Sequence, residues 1–396
     1  MRLILASPGR FGRLGENWAA RALGYERLYR RYLAEFEQVE VLAQVCAIED
    51  PTTAPVAGPG VTVTALPPMM GWRAVLGPLQ ELRRRVRAAC DPEAAYLLRA
   101  PGPVADVTWR ELMARGQPYA LEMPGDPWLS LAPGNSRRLL RPVLRRHRLR
   151  ILREQARHAC AVGYFSHEQA RRYPAGPGAH QTFVNDANLS AEAIVAAPRT
   201  FVPGGRRRVI CVGTLRRARK SPEAVIDAVA SCVADGLDLE LVWVGGGELL
   251  EPMRARARSA GLGERAHFTG QLPAGAAVLE QLDAADIFVL VSRAEGMPNA
   301  LLEAMARGLP CIGSAVGGIP DLLAPEDLVP MGDVRVTARL LAQVATDERR
   351  MNEMSRRNLA TVQDHSAAST QARREALCVQ LRVSTEAWLA GRAERE

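Results

Sequence analysis

Residues 292–310 carry the sequence SRAEGMPNALLEAMARGLP, which decides the fold of this chain. The stretch lies between two short apolar runs, at 287–291 and 311–313. Between these runs, Pro298 suits the first position of a helix, and Gly308 suits its end. A strand, a helix and a strand at this spacing predict a parallel α/β sheet.

The same alternation continues toward the N-terminus from this stretch. Ser221 and Pro222 are typical of an N-cap and a first helical turn. The apolar patterns predict strands at 209–212, 239–244 and 266–269 and helices at 221–234, 251–260 and 276–284. Residues 201–369 are therefore predicted to form one doubly wound α/β domain.

The first half of the chain repeats the pattern less clearly, and residues 174–208, rich in proline and glycine, look like a link. The patterns predict strands at 3–6, 39–44 and 161–166 and helices at 16–36, 79–89 and 137–160. We expect two Rossmann-like domains, at 1–200 and 201–369, facing a central cleft. A last helix is expected at 370–392, with 370–396 packing back on the first domain. Function is then expected in the loops that follow the strands.

Composition excludes several classes of protein. The chain has 396 residues, of which 47% are hydrophobic, so it can build a sizeable core. No apolar run approaches the roughly 18 residues of a membrane span, and the first residues lack the apolar core of a signal peptide. The seven scattered cysteines form no Cys-X-X-Cys pair and predict free thiols. We expect a cytoplasmic protein with no cofactor and no metal site.

The formal net charge is +8, and Lys220 is the one lysine among 51 basic residues. An excess of basic residues favours anionic partners such as nucleotides, phosphates, anionic lipids or nucleic acid. A cation at Lys220, where a loop leads into a helix, would neutralise a departing diphosphate. The alternative is an ordinary solvated charge.

Two glutamates flank the start of the helix in the opening stretch. Glu295 lies in the loop before the helix, and Glu303 lies about two turns along it. The amides near 297–300 form the positive end of the helix, which is a natural diphosphate site. The two carboxylates would accept hydrogen bonds from sugar hydroxyls on either side of it. The alternative is a surface helix with two solvated glutamates.

Several motifs in the second half resemble glycosyltransferase family 4. They are the strand at 285–292, the pair Glu295 and Glu303, the GLP sequence at 308–310 and the GGIPD sequence at 317–321. The resemblance covers roughly residues 205–365 and the first half only loosely. It implies the GT-B fold and transfer with retention of anomeric configuration.

The resemblance also implies roles for single residues. Glu303 would hold the ribose of the nucleotide, Glu295 would hold hydroxyls of the donated sugar, and Lys220 would assist catalysis together with Glu295. Thr214 stands where the family often has an arginine, so Arg216 or Arg219 would supply the second phosphate cation. The remaining donor-binding residues implied are Gly213, Thr214, Arg216, Gly246, Gly296, Met297, Pro298, Asn299 and Ala300.

Two sites are expected in the first half. The glycine loop that ends at Gly15 would approach a phosphate at the start of the predicted helix 16–36, or else be a flexible surface loop. Many relatives have a histidine where this chain has the sequence EMPGDPW at 122–128. Asp126 would there orient the acceptor or the sugar as a catalytic residue, or it would cap a helix.

An arginine-rich segment at 137–153 alternates with leucines at helical spacing. One hypothesis is a helix that lies on an anionic membrane beside a lipid-linked acceptor. The other is a half-buried helix with a solvated basic face.

Together these features predict a retaining, metal-independent hexosyltransferase. The donor would be a nucleotide-diphosphate sugar, with a UDP-sugar favoured over GDP-mannose. The acceptor would be a hydroxyl of a saccharide, a lipid-linked saccharide or a small molecule, in bacterial polysaccharide, glycolipid or natural-product synthesis. We expect a cytoplasmic enzyme at the inner face of the membrane.

Two alternative functions remain open at this point. One is an epimerase or phosphorylase of the same fold. The other is a non-catalytic basic module that binds nucleic acid. Aromatic residues make up only 5% of the chain and do not cluster with the arginines, so we expect no nucleic acid as a partner.

Overall fold

The computed structural model describes residues 1–14, 17–20, 24–46, 54–68, 77–131, 141–216 and 218–395. It divides the chain into two compact units. Unit 1 contains residues 1–186 together with residues from Thr370 onward, apart from a short stretch near 133–135, and unit 2 contains 187–369. Among the described residues, every helix is too short or too polar to cross a membrane.

Unit 1 is built on a mainly parallel sheet. Its strands are β1 (Arg2–Leu14), β2 (Asn17–Ala20), β3 (Gln38–Val45), β4 (Ala54–Pro55), β5 (Val61–Leu66), β6 (Ala95–Arg99), β7 (Ala120–Glu122), β8 (Ala161–Tyr164) and β9 (His180–Phe183). Its helices are α1 (Gly77–Ala89), α2 (Pro103–Arg115), α3 (Pro127–Ser130), α4 (Arg141–His158) and α5 (His167–Arg172). The parallel strands run in the order β5-β3-β1-β6-β7-β8-β9, while β2 and β4 pair antiparallel beyond the end of β1.

Unit 2 carries a second parallel sheet in the order β12-β11-β10-β13-β14-β15. Its strands are β10 (Arg207–Val212), β11 (Leu239–Val244), β12 (Ala266–Gly270), β13 (Ile287–Leu290), β14 (Cys311–Ser314) and β15 (Leu328–Val329). Its helices are α6 (Pro222–Ala234), α7 (Leu250–Ser259), α8 (Ala276–Asp283), α9 (Asn299–Ala306), α10 (Val334–Ala345) and α11 (Glu348–Gln363). The chain ends in α12 (Ala367–Ala393), most of which belongs to unit 1.

Both sheets have the strand order of a doubly wound fold, in which the first strand is central and later strands add on either side. The inner strands, such as β6, β7, β11 and β13, are buried on both faces, as helices on both sides of the sheet require. The predicted α/β class is thereby confirmed for each unit.

A charged cluster lies at the carboxyl ends of the strands in unit 1. Arg99 at the end of β6 donates to Glu122 at 2.6 Å and to Asp186 at 2.5 Å. Arg374 on α12 donates to Glu122 at 2.9 Å, and Arg31 donates to Asp186 at 2.6 Å. Arg99, Arg374 and Glu122 are at most 1% exposed. Since buried charges need partners, these contacts tie α12 to the sheet of unit 1.

The cluster makes the stability of unit 1 depend on pH. Burial opposes ionisation of Asp186, yet the neighbouring arginines outweigh it and hold the pKa of Asp186 well below its usual value. Arginines likewise outweigh burial and lower the pKa of Glu122. A lowered pKa contributes stability above the unfolded pKa of about 4, and this contribution is lost as the pH falls.

We therefore expect the urea midpoint of unit 1 to fall as the pH is lowered from about 5 toward 2. In Asp186→Asn this slope should be shallower than in the unchanged protein, because one titrating group is gone. Glu353→Gln, which removes a half-exposed carboxylate on α11, is the matched control and should keep the slope. Equal slopes for Asp186→Asn and the unchanged protein would contradict this assignment.

The start of unit 1 differs from the prediction. A helix at 16–36 is wrong for the described residues, because β1 continues to Leu14 and turns into β2. Phe11 on the extended strand is buried and packs edge-on against Tyr29. Helical turns begin only at Tyr25, as a π-helix that is followed by a 3-10 helix ending at Ala34. Pairing with β3 continues β1 beyond residue 6, where the local sequence pattern ended the predicted strand.

Smaller differences concern helix ends and missed elements. Ser221 occupies the N-cap position of α6 but has φ +46° and no side-chain cap hydrogen bond, because a 3-10 turn over Ala218–Lys220 enters it. Pro298 is the N-cap residue of α9, so the helix begins one residue later than predicted. The elements α2, β5, β9, α10 and α11 were not predicted.

Helix α4 buries the apolar side chains of its second half in unit 1, while Val143 near its start is 68% exposed. Leu149, Ile151, Leu152 and Ala156 are buried, whereas Arg150 and Arg157 are exposed. The part of the predicted segment before residue 141 lies outside the described residues. The second half of α4 is thus a half-buried helix with a basic face, and contact with a membrane stays a prediction.

Candidate functional site

Four loops of unit 2 meet at the carboxyl edge of its parallel sheet. They follow β10 (213–220), β11 (245–247), β13 (291–298) and β14 (315–318). In a doubly wound fold this edge is where ligands bind. The loops are joined by backbone hydrogen bonds, such as Leu215 N to Gly246 O at 2.9 Å and Gly318 N to Gly296 O at 2.8 Å.

Glycines allow the loops after β10 and β11 to pack against each other. Gly245 has φ +141°, and a Cβ there would lie 2.1 Å from the carbonyl oxygen of Gly213. Gly247 has φ +148°, and a Cβ there would lie 2.5 Å from the amide of Arg216. The glycine run therefore supports the loop after β10. Gly246, predicted to bind the donor, lies between these contacts.

A third glycine supports the loop after β13. Gly317 has φ +58°, and a Cβ there would lie 2.1 Å from the carbonyl oxygen of Glu295. Backbone contact at this distance excludes any side chain. The two glycines at 317 and 318 thus support the backbone of Glu295 and Gly296.

Lys220 and Glu295 form an ion pair at the centre of these loops. Lys220 Nζ donates to Glu295 Oε1 at 2.7 Å, and the Lys220 stem packs against Gly213. Glu295 is 7% exposed. Burial raises the pKa of Glu295, but Lys220 and Arg219 outweigh it and leave the pKa below its usual value. The carboxylate is therefore charged, and it holds the ammonium group in place.

Helix α9 starts directly beside this pair. Pro298 has no N–H, and Leu301 N donates to Pro298 O at 3.0 Å, so Asn299 and Ala300 present the first-turn amides that lack helical acceptors. Glu303 is half-buried on the same helical face as Asn299 and Ala300. Met297 packs partly into the core. An anion would find two N–H groups and the positive end of a helix dipole here.

Three further residues of the loop after β10 that the structure describes, Thr214, Arg216 and Arg219, are at the surface. Thr214 and Arg216 are exposed. Arg219 Nε donates to Ala294 O at 2.7 Å, and its guanidinium lies 3.8 Å from Glu295. Arg219 thus joins the loops after β10 and β13, while Arg216 extends outward.

The structure also shows contacts that the sequence did not indicate. Arg293 N donates to Arg219 O at 2.8 Å, and Trp243 Nε1 donates to Gly213 O at 2.9 Å. The second bond comes from a fully buried indole, whose position inside a strand gave no signal of a role at the site. His267 is exposed on the edge strand β12.

The two predicted site residues of the first half belong to unit 1. Gly15 lies outside the described residues, and no helix follows it at 17–20. Asp126 is 7% exposed and caps α3 by accepting from Trp128 N at 2.8 Å. It also pairs with Arg172 and accepts from the Tyr173 hydroxyl at 2.5 Å. These contacts are those of a capping residue, and a catalytic role for Asp126 stays a prediction.

All seven cysteines are free, and four of them are buried. Among the described residues, no group of three or more histidine, cysteine and acidic side chains is arranged to hold a metal ion.

Residues 206–347 match the family model described as glycosyl transferases group 1. This segment contains the four loops of the candidate site. A 2-deoxystreptamine N-acetyl-D-glucosaminyltransferase from Streptomyces fradiae is 41% identical over 110 residues, which are 27% of this chain and 26% of that protein. The chain thus matches about a quarter of that relative's length.

Solved structures match nearly the whole chain. A sucrose-phosphate synthase from Thermosynechococcus elongatus aligns with a TM-score of 0.68 at 18% sequence identity. The alignment covers 98% of this chain and 99% of the synthase chain. HepE from Anabaena, in complex with UDP-glucose, aligns with a TM-score of 0.65 at 17% sequence identity. The alignment covers 95% of this chain and 99% of the HepE chain. At these identities the likeness shows the fold, and it confirms the predicted GT-B class.

Proposed function

Starting from the match of residues 206–347 to the glycosyl transferases of group 1, we propose that the chain is a retaining, metal-independent glycosyltransferase of family 4 type. The observation that carries the proposal is the ion pair between Lys220 and Glu295, 2.7 Å long, beside the first amides of α9. A cation, a buried carboxylate and an anion-binding helix end suit a sugar attached to a diphosphate.

The donor we propose is a UDP-sugar, with GDP-mannose as the alternative. The Anabaena neighbour holds UDP-glucose, and the Streptomyces relative is named as an N-acetylglucosaminyltransferase. In this chain, the amides of Asn299 and Ala300 would hold the diphosphate, and Glu303 would accept hydrogen bonds from the ribose. Glu295 would accept one from the donated sugar.

In the proposed reaction, the bond between the anomeric carbon and the diphosphate oxygen breaks, and its electron pair leaves with the diphosphate. Lys220 and the helix amides stabilise the negative charge that develops. The acceptor hydroxyl bonds to the anomeric carbon on the face that the diphosphate leaves. Its proton passes to the departing phosphate oxygen, so no side-chain base is needed.

The acceptor is proposed to be a hydroxyl of a saccharide, a lipid-linked saccharide or a small molecule, in bacterial polysaccharide, glycolipid or natural-product synthesis. Unit 1 would supply its binding residues. Association with an anionic membrane at the inner face is proposed to involve the exposed arginines of α4, such as Arg150, because their positive charge attracts anionic headgroups.

We expect Glu303→Ala to weaken UDP binding by about tenfold to a hundredfold, since a carboxylate that accepts from two ribose hydroxyls is lost. Glu295→Gln should instead lower the rate with a modest loss of UDP affinity, because Glu295 lies beside the sugar and not the nucleoside. Thermal shift with UDP, GDP and their sugars first identifies the nucleotide. Titration calorimetry and initial rates then separate the two effects.

Arg339→Gln, which removes an exposed charge on α10, is the control for both variants and should change neither binding nor rate. If neither glutamate variant alters transfer, the assignment of the site is wrong. Transfer with inversion, seen by NMR of the product, would contradict the retaining mechanism while leaving the site intact.

A further inference from the structure

A groove in unit 1 carries an excess of positive charge outside the proposed donor site. It has a volume of about 630 Å³ and is lined along one side of α4 and by the side chain of Trp128. Four arginines line it against one glutamate. We call it the α4 groove, and its lining residues are Trp128, Pro142, Arg145, Arg146, Leu149, Arg150, Arg153 and Glu154.

The aromatic wall of the α4 groove is held by specific contacts. Trp128 lies in the short helix α3, which Asp126 caps. Arg172 pairs with both Asp126 and Glu168, and its guanidinium lies 4.8 Å from the centroid of the Trp128 ring. Despite these contacts, the indole remains 40% exposed. A large exposed aromatic side chain fixed beside basic residues is typical of a binding surface.

Arg145 is the lining arginine that packs directly against the Trp128 ring. Its guanidinium stacks 3.6 Å from the centroid of Trp128. Stacking uses the flat face of a guanidinium and leaves its in-plane N–H groups for an acceptor. Arg145 Nε is buried and has no hydrogen-bond partner in the described part of the chain. Because this Nε atom has no exposed surface, a ligand in the groove would contact the remaining N–H groups of Arg145.

We propose that the α4 groove binds a phosphate-bearing ligand, with Arg145 as its central contact and Arg150 as a second cation. A phosphate offers several acceptor oxygens that match the N–H groups of a guanidinium. The volume suits a small phosphorylated saccharide or a lipid headgroup. That this ligand is the acceptor rests on the proposed function, but binding itself does not.

The soluble arm of the test uses glycerol 3-phosphate, titrated by calorimetry in saturating UDP so that the proposed donor site is filled. We expect binding that weakens about tenfold to a hundredfold in Arg145→Gln. Arg157→Gln is the matched control, because it removes the same charge from the same helix outside the groove. It should bind like the unchanged protein. Arg145→Lys should restore only part of the affinity, since lysine keeps the charge but not the fork of donors.

The lipid arm measures co-sedimentation with vesicles of phosphatidylglycerol and phosphatidylcholine. Loss of vesicle binding in Arg145→Gln but not in Arg157→Gln, without binding of glycerol 3-phosphate, supports the site and assigns the phosphate to a headgroup. Equal effects of the two variants, or no binding in either arm, overturn the proposal. If Arg145→Gln does not fold by circular dichroism, Arg150→Gln takes its place.

The outcome is independent of the proposed function. If UDP does not bind but glycerol 3-phosphate binds through Arg145, the donor site is wrong and the groove is right. If UDP binds and neither phosphate probe responds to Arg145→Gln, the groove is wrong and the donor site is unaffected.

Discussion

Replacing Lys220 by glutamine is expected to lower the rate of sugar transfer by about a hundredfold to a thousandfold, the cost of removing one strong group that stabilises a departing anion. Glutamine has nearly the length of lysine and still donates a hydrogen bond, but it carries no charge. The charge of Lys220 is held in place by Glu295 at 2.7 Å and by packing of the stem on Gly213.

The measurement is the initial rate of transfer, with the donor found by thermal shift, alongside the affinity for UDP. We expect a larger loss in kcat than in UDP affinity, because the charge on the phosphate grows as the bond breaks. Lys220→Arg keeps a cation and should retain more activity than Lys220→Gln. Arg339→Gln, an exposed charge on α10, is the control for the change in net charge.

A second signature separates loss of the cation from misfolding. In Lys220→Gln the buried Glu295 loses its strongest counter-charge, so its pKa should rise as burial dictates. The activity that remains should then fall at a higher pH than in the unchanged protein as the solution is made acidic. A Lys220→Gln protein that folds, binds UDP and transfers at the original rate would rule out the proposed role.

The sequence predicted unit 2 well because its signals are local. The strand predicted at 239–244 has those bounds in the structure, since a run that is apolar except for Glu240 is bounded by Asp238 on one side and Gly245 on the other. The loop between β13 and α9 was likewise predicted from local signals. Lys220 and Glu295 were both placed in loops at the same sheet edge. Their direct ion pair could not be predicted, because it depends on the path of two loops 75 residues apart.

The first half was predicted less well because its structure depends on distant contacts. Tyr25, Tyr29 and Tyr32 do lie in helical turns, as the predicted helix at 16–36 requires, but residues 17–20 form the strand β2. The extension of β1 comes from pairing with β3, and the hairpin with β2 adds to it. The charged cluster of unit 1 joins Glu122 to Arg374, which are 252 residues apart in the sequence. A contact over this separation cannot be predicted from a local sequence pattern.

The second large effect is expected on folding, in Glu122→Gln. Glu122 is 0% exposed and accepts from Arg99 and Arg374, so its charge compensates two buried guanidiniums. Glutamine has the same shape but no charge, leaving three arginines with Asp186 as their carboxylate partner. Breaking a buried ion pair from one side costs about 3–5 kcal/mol, and we expect a loss of that size in the free energy of unfolding of unit 1.

Urea unfolding followed by circular dichroism measures this loss, and Glu81→Gln is the matched control. Glu81 also accepts from two arginines, on the exposed surface of α1, and exposed pairs contribute little. Its variant should therefore unfold at the original midpoint. If Glu122→Gln unfolds at the same midpoint as Glu81→Gln, the cluster does not hold unit 1 together.

A compensating change tests whether charge balance, and not shape, is the cause. Adding Arg374→Gln to Glu122→Gln removes one of the uncompensated cations. The loss of unfolding free energy in the double variant should therefore be smaller than the sum of the losses in the two single variants. The loss of unfolding free energy in Glu122→Gln should also shrink as the pH falls below about 4, because Glu122 then takes up a proton in the unfolded state and the stability that its lowered pKa contributes disappears. An effect that is independent of pH and additive with Arg374→Gln would assign the loss to packing. In that case α12 would be held to unit 1 by its buried apolar residues, such as Leu377 and Leu381. The charged side chains of the cluster would then contribute to packing and not to electrostatic stabilisation.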